Sequence, residues 1–164
     1  MQACKEDEVF AVNSTYNDNE RMPAKHANKG VVGGENVSPA FSWQDAPEGT
    51  KSFALAMVDH HKVANEFVHW LVANIPADTT SVKEGASKTD SMPVGSKELN
   101  TTYGQALYGG PRPPAGTGDH PYETTVYALS DDLDLDEDVT LDDFLSAVED
   151  KTLAKASLTG MFSQ

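Results

Sequence analysis

Short apolar runs, not long amphipathic ones, punctuate this chain. Phe53-Ala-Leu-Ala-Met-Val58 is apolar throughout and ends in Asp59. Phe67-Val-His-Trp-Leu-Val-Ala73 is apolar except for His69, and Asn74-Ile-Pro76 closes it. Runs of strand length, rich in aromatic and β-branched residues and apolar on both faces, predict central strands over 52–58 and 67–73. A further strand over 122–129 holds Val126-Tyr-Ala-Leu129 and follows His120. Val9, Phe10 and Val12 are a strand-like cluster in a polar start, so residues 1–20 read as an edge strand or a loosely attached segment. Ser38–Trp43 is extended around Pro39, and Asp45-Ala-Pro-Glu-Gly49 is a turn.

The polar stretches between these runs set the rest of the organisation. Residues 21–37 hold Pro23, Gly30, Gly33 and Gly34 and read as loop. Residues 77–102 read as a long surface loop, and loops of that length are often functional. Tyr108–Gly118 is too dense in Gly and Pro for helix or central strand. Residues 131–138 are an acidic loop with Leu133 and Leu135 as anchors. One helix is predicted, from Thr140. Thr140 caps it, Asp142 and Asp143 suit its positive end, and Leu141, Phe144, Leu145 and Val148 make one apolar stripe. Further helical turns are expected from Lys151 to Leu158, with Gly160 as their stop. Strands first and helix last predict one mainly β domain over 1–164, antiparallel, with C-terminal helix or helices.

Composition narrows the function classes. A length of 164 residues allows a real core. No apolar stretch approaches the roughly 20 residues of a membrane helix. The start, Met-Gln-Ala-Cys-Lys-Glu-Asp-Glu, has no apolar signal core. The expectation is therefore a cytoplasmic protein, or a secreted or periplasmic one if a leader was removed before residue 1. The formal charge of −14 disfavours nucleic acid and anionic membranes as partners. It suits a hydrated, dispersing surface, including one adapted to high salt, more than a site for Ca²⁺ or basic partners. The single cysteine, Cys4, excludes an internal disulfide.

Catalytic motifs are absent. There is no nucleophile elbow, no phosphate-binding P-loop and no Cys-x-x-Cys, and Gly116-Thr-Gly118 is not a dinucleotide fingerprint. No cofactor is implied. His26 reads as solvated surface. His60 and His61 adjoin Asp59 but, as neighbours on an extended chain, point apart. A metal set of Asp59, His69 and His120 has suitable ligand types but no diagnostic spacing. A lone histidine in an apolar strand is usually structural, bonded to a backbone carbonyl. The company of His69 changes that reading: Asp59, His120 and Tyr122 each end or begin a neighbouring run. Two imidazoles, a phenol and backbone N–H groups near Gly109 and Gly110 would receive a small oxyanion such as phosphate.

Several segments together resemble one family. Ser38-Pro-Ala-Phe-Ser-Trp43, Ala46-Pro-Glu-Gly-Thr-Lys-Ser-Phe-Ala-Leu55, and His69-Trp70 with Asn74-Ile-Pro76 are similar to the phosphatidylethanolamine-binding protein family. Tyr108-Gly-Gly-Pro-Arg-Pro-Pro-Ala-Gly116, His120-Pro-Tyr122, Thr125–Leu129 and Leu153–Gly160 follow in the same order. The nearest branch is the bacterial and archaeal Raf-kinase-inhibitor-like proteins. The resemblance implies a two-sheet antiparallel β-sandwich and a pocket for phosphate-type anions or phospholipid headgroups. It places Asp59, His69, His120, Tyr122, Gly109, Gly110 and Pro111 at that pocket. It supports a non-enzymatic binding or regulatory protein, with inhibition of a kinase or serine protease by surface contacts as the alternative; the residues themselves leave a third reading, a metal-assisted hydrolase with His69 or His120 as general base. Five positions in three places depart from the family pattern. Asp59-His-His-Lys-Val63 stands where Asp-Pro-Asp-x-Pro is usual, Val68 replaces an aromatic, and Pro121 replaces an arginine. A loop that prolines would stiffen is thus either free to move or fixed another way.

Overall fold

The computed structural model describes residues 9–164, so Cys4 lies outside the described residues. Among the described residues, nine strands and one α-helix follow in order. They are β1 (Ala11–Ser14), β2 (Glu20–Arg21), β3 (Phe41–Gln44), β4 (Ser52–Asp59), β5 (Phe67–Pro76), β6 (Ser81–Val82), β7 (Lys97–Leu99), β8 (His120–Leu129), α1 (Leu141–Glu149) and β9 (Thr152–Phe162). A three-stranded sheet has the order β1-β3-β6, and a six-stranded sheet the order β2-β9-β8-β4-β5-β7.

The two-sided apolar run becomes β4, buried at all eight positions and paired on both edges, with β5 and β8. Its alternation sorts the core. Phe53, Leu55 and Met57 join the large cluster that also takes Phe41, Trp43 and Val82 from the smaller sheet. Ala54 and Ala56 face the opposite way, into a second cluster closed by Phe144 and Val148 of α1. Small residues on that face let the helix approach, and burying Phe144 there contributes about 1.5–3 kcal/mol.

Two expectations need correction. The sheets are not purely antiparallel, because β2 runs parallel to β9, with Glu20 opposite Gly160. The segment 151–158 is strand, not helix: β9 pairs with β8 from His120↔Phe162 to Leu129↔Thr152. Its alternating Thr-Leu-Ala-Lys-Ala-Ser pattern fits a half-exposed strand beside β8. Gly160 is no helix stop. It sits inside β9, where an added Cβ would lie 2.3 Å from Met22 Cγ. The one α-helix among the described residues is the nine-residue α1, capped as expected by Thr140 Oγ1, which accepts from Asp143 N–H at 3.1 Å. Its buried stripe is narrower than predicted, since Leu145 is 38% exposed.

The stretch 77–102 is less open than its composition suggests. β6 and β7 dock in it, against β3 and β5 respectively. Glu98 ties it down, accepting from Trp70 Nε1 at 2.9 Å, from Lys88 N–H at 2.7 Å and from the Ser87 hydroxyl. Leu133 anchors the acidic loop, buried in the helix-side cluster with Leu135 packed against it.

Candidate functional site

Strand ends deliver the candidate residues to one place. Asp59 is the last residue of β4 and lies opposite both Phe67 of β5 and Tyr122 of β8. His120 opens β8 two residues before Tyr122. His69 enters by a different device. Met57 pairs with Trp70 and Val58 with Val68, which leaves His69 as the extra residue of a β-bulge. Bulges re-aim a side chain out of the regular alternation. That is how a histidine flanked by core residues reaches a cavity.

Asp59, His69, His120 and Tyr122 are all buried, and all line one cavity of about 210 Å³. Phe67, Val63, Ala64, Tyr103, Arg112, Pro113 and Pro114 complete its wall. The volume is below the ~300–1,000 Å³ of clefts for drug-sized ligands, so only a small group fits inside it.

The polar contacts are mostly internal. His120 Nδ1 donates to Asp59 Oδ2 at 2.6 Å, and Asp59 Oδ1 accepts from His61 N–H at 2.8 Å. The other nitrogen of His120 shares a hydrogen bond of 2.8 Å with Thr117 Oγ1. His69 Nδ1 donates to the Gly109 carbonyl at 2.6 Å. Burial pushes His69 down to about 4, against the opposing pull of that carbonyl and of Asp59, so the ring is neutral at pH 7. Tyr122 is shifted in the other direction. Burial first, then the charge of Asp59, raise its phenol well above the usual range, and it stays a donor. The rings meet edge-on, His69 to Tyr122 at 5.1 Å and His69 to Tyr103 at 5.7 Å.

Gly109, Gly110 and Pro111 stand behind this wall rather than on it. Both glycine N–H groups are engaged, Gly109 by His69 O at 2.9 Å and Gly110 by Asn36 Oδ1 at 2.7 Å. Their carbonyls position the rings in front: Gly109 O holds His69, and Gly110 O accepts from the Tyr103 hydroxyl at 2.8 Å. A Cβ on Gly109 would lie 2.2 Å from the Tyr103 ring, so glycine lets that ring lie across the loop. Pro111 O accepts from Asn28 N–H at 2.9 Å.

The loop after Asp59 is fixed without prolines. His61 stacks on His120 with ring centroids 3.9 Å apart. Its Nε2 donates to Thr117 O at 3.1 Å, and its Nδ1 accepts from Val63 N–H at 3.1 Å. His60 bridges two carboxylates, Glu66 at 2.6 Å and Glu123 at 2.9 Å. A neutral imidazole has one N–H and cannot donate to both, so the bridge selects the imidazolium. Partial burial opposes that charge, but Glu66 and Glu123 together raise the His60 pKa above its ordinary value. The chain returns to β5 through Asn65 and Glu66, both left-handed at φ 52° and 57°.

Sequence reasoning missed Tyr103, Arg112 and the stacked His61. Arg112 had a signal: it is one of only two arginines in a chain of charge −14 and stands inside the Gly/Pro-rich segment. It is exposed, lies against Gly30 with Cζ 2.6 Å from where a Cβ would be, and makes no ion pair among the described residues. His26 also differs from expectation. It is buried, with Nδ1 on Val37 O at 2.7 Å, because the 3₁₀ turn at Ala24–His26 folds it under Tyr16. Among the described residues, no three His, Cys, Asp or Glu side chains are arranged to hold a metal ion, and no helix is long and apolar enough to cross a membrane.

Comparison with known proteins agrees with this architecture. The chain is similar to the crystal structure of Escherichia coli YbcL, described as a member of the mammalian PEBP family, with 29% identity, a TM-score of 0.88 and coverage of 94% of this chain and 98% of that one. It is also similar to the PEBP homologue CT736 of Chlamydia trachomatis, at 26% identity and a TM-score of 0.81, covering 96% and 99%. Among sequences, a UPF0098 protein of Methanothermobacter thermautotrophicus is 35% identical over 147 residues, 90% of this chain and 93% of the relative. The UPF0098 protein YbhB of Escherichia coli is 35% identical over 156 residues, 93% and 98% of the two. The family model for phosphatidylethanolamine-binding protein matches residues 12–163, and the chain belongs to that family.

Proposed function

We propose that this protein binds a small phosphate-type anion, free or as the head group of a larger molecule, in the cavity of Asp59, His69, His120 and Tyr122, and does no covalent chemistry on it. The observation that carries the reading is the convergence of these four buried polar residues on one concave wall with the cation Arg112 beside them. Buried polar side chains are costly unless they serve each other or a ligand. Here the Asp59–His120 pair serves itself and the Tyr122 phenol lies beside the Asp59 carboxylate, while the far side of His69 faces the cavity. Gly109, Gly110 and Pro111 support the site by holding His69 and Tyr103 from behind. Among the described residues no serine or cysteine lines the cavity, which supports binding over nucleophilic catalysis.

The test is an NMR titration of the whole chain with inorganic phosphate and with phosphorylethanolamine. Saturable shifts at the His69 and His120 ring resonances are expected. Ring resonances that do not move at millimolar ligand would refute the site.

A further inference from the structure

The wall of the cavity is unevenly supplied with protons. His69 Nδ1 faces a carbonyl oxygen at 2.6 Å, and a carbonyl only accepts, so Nδ1 carries the ring's hydrogen. In the neutral ring Nε2 is then a bare lone pair. Nε2 makes no hydrogen bond to the described residues, although His69 lines the cavity. Gly109 behind and Tyr103 and Tyr122 edge-on hold the ring in this orientation. Asp59 offers nothing further, since both its oxygens are taken. An incoming oxyanion therefore meets a lone pair at His69, and two lone pairs repel unless a proton lies between them.

We propose that the cavity selects its anion by proton count: His69 Nε2 accepts a hydrogen bond from a P–OH group, so a singly protonated phosphate monoester or hydrogen phosphate is bound and a fully ionised oxyanion is disfavoured. This rests on the anion-site reading above and adds the substrate class to it. The charged and titratable groups facing His69 agree with it. They are Asp59 from β4, His120 and Tyr122 from β8, and Tyr103 and Arg112 from the segment between β7 and β8, with His61 stacked behind His120. Arg112 supplies the positive partner for the remaining P–O⁻. Asp59 opposes a second negative charge on the ligand.

The size of the selection follows from two titrations. A phosphate monoester loses its second proton near pH ~6. At pH 7 the protonated form is about tenfold scarcer than the dianion. Sulfate brings no proton, so His69 must be protonated instead, three units above its folded value of about 4. That costs about a thousandfold. Monoester over sulfate is thus about 100-fold at pH 7. At pH 5 the monoester is already protonated and the ratio shrinks to about tenfold. A phosphodiester, which is what a phospholipid head group presents, has no P–OH and behaves as sulfate does.

Calorimetry on the whole chain distinguishes these cases. The ligands are inorganic phosphate, phosphorylethanolamine, glycerophosphorylethanolamine and sulfate, at pH 7 and pH 5, in two buffers of different ionisation enthalpy. Phosphorylethanolamine should bind about 100-fold tighter than sulfate and the diester at pH 7, with uptake of about one proton; inorganic phosphate, which keeps a P–OH in both its forms at that pH, should also bind far tighter than they do but without that uptake, and the gap should narrow at pH 5. Sulfate or the diester binding as tightly as phosphate at pH 7 overturns the selection and leaves the anion site standing. No binding of any of the four ligands overturns both.

Discussion

Acidification should weaken this fold through His69 by an amount the structure sets. In the unfolded chain the imidazole titrates near its ordinary 6.5, and in the folded protein burial holds it near 4. Between these values the unfolded state binds the extra proton, so stability is lost as pH falls from about 6.5 to about 4 and levels off below. Integrated from pH 7 to pH 4, one such group costs about 3 kcal/mol. Urea unfolding of the wild type and of His69→Phe at pH 7, 5.5 and 4 isolates this share. The variant lacks the titrating group and its bond to Gly109 O, so it starts less stable at pH 7. Its decline on acidification should be shallower than the wild type's by about 1 kcal/mol at pH 5.5 and about 3 at pH 4. His26, also held low by burial, and the many carboxylates are common to both proteins and cancel in the difference. Equal declines, or a His69 ring resonance that titrates near 6.5 in the folded wild type, would refute the reasoning.

Arg112→Ala should reduce phosphate affinity about tenfold in calorimetry while leaving the urea midpoint unchanged, since the side chain is exposed and unpaired among the described residues. Gly110→Ala should destabilise by about 2–3 kcal/mol in the same urea assay, because its Cβ would stand 2.3 Å from the His26 carbonyl oxygen, a backbone atom with nowhere to go. His60→Gln should raise amide exchange at Ala64, whose N–H bonds His61 O at 2.9 Å, with little change in global stability because the bridge is half exposed. His60 has a raised pKa, so its contribution is present below 6.5 and lost as pH rises through that raised value; wild type and variant should then exchange alike.

Central strands and the capped helix were legible because a single local pattern decides them. Two-sided apolar runs have few alternatives to a covered strand, and Thr140 with its following stripe reads as a helix start. The end of the chain was not legible. Leu153-Ala-Lys-Ala-Ser-Leu has good helix formers, and only the open edge of β8, a tertiary fact, makes it strand. Asp59, His69, His120 and Tyr122 were identifiable because each marks the end of a run, or the one polar position inside it. Tyr103 and Arg112 were not, since each reaches the cavity from irregular backbone, where no periodicity tells which way a side chain faces. His26 misled for the same reason: its polar neighbours say surface, and a 3₁₀ turn puts it inside.

The loop after Asp59 shows how a site keeps its shape when the residues that usually stiffen it are gone. A proline restrains the backbone by its ring, independently of solution conditions. Here the same stretch is held by polar contacts: Asp59 Oδ1 on His61 N–H, His61 Nδ1 on Val63 N–H, His61 on Thr117 O, and His60 between Glu66 and Glu123. Such contacts position Val63 and Ala64 at the cavity wall as a ring would, but one of them depends on charge. The His60 bridge relaxes as pH rises, whereas His69 destabilises the core as pH falls. The two histidines are nine positions apart and opposite in burial, one bridging carboxylates at the rim and the other enclosed by aromatic rings. With His60 and Val63 standing where prolines are usual, the rim of this site is responsive to pH in the direction opposite to its floor.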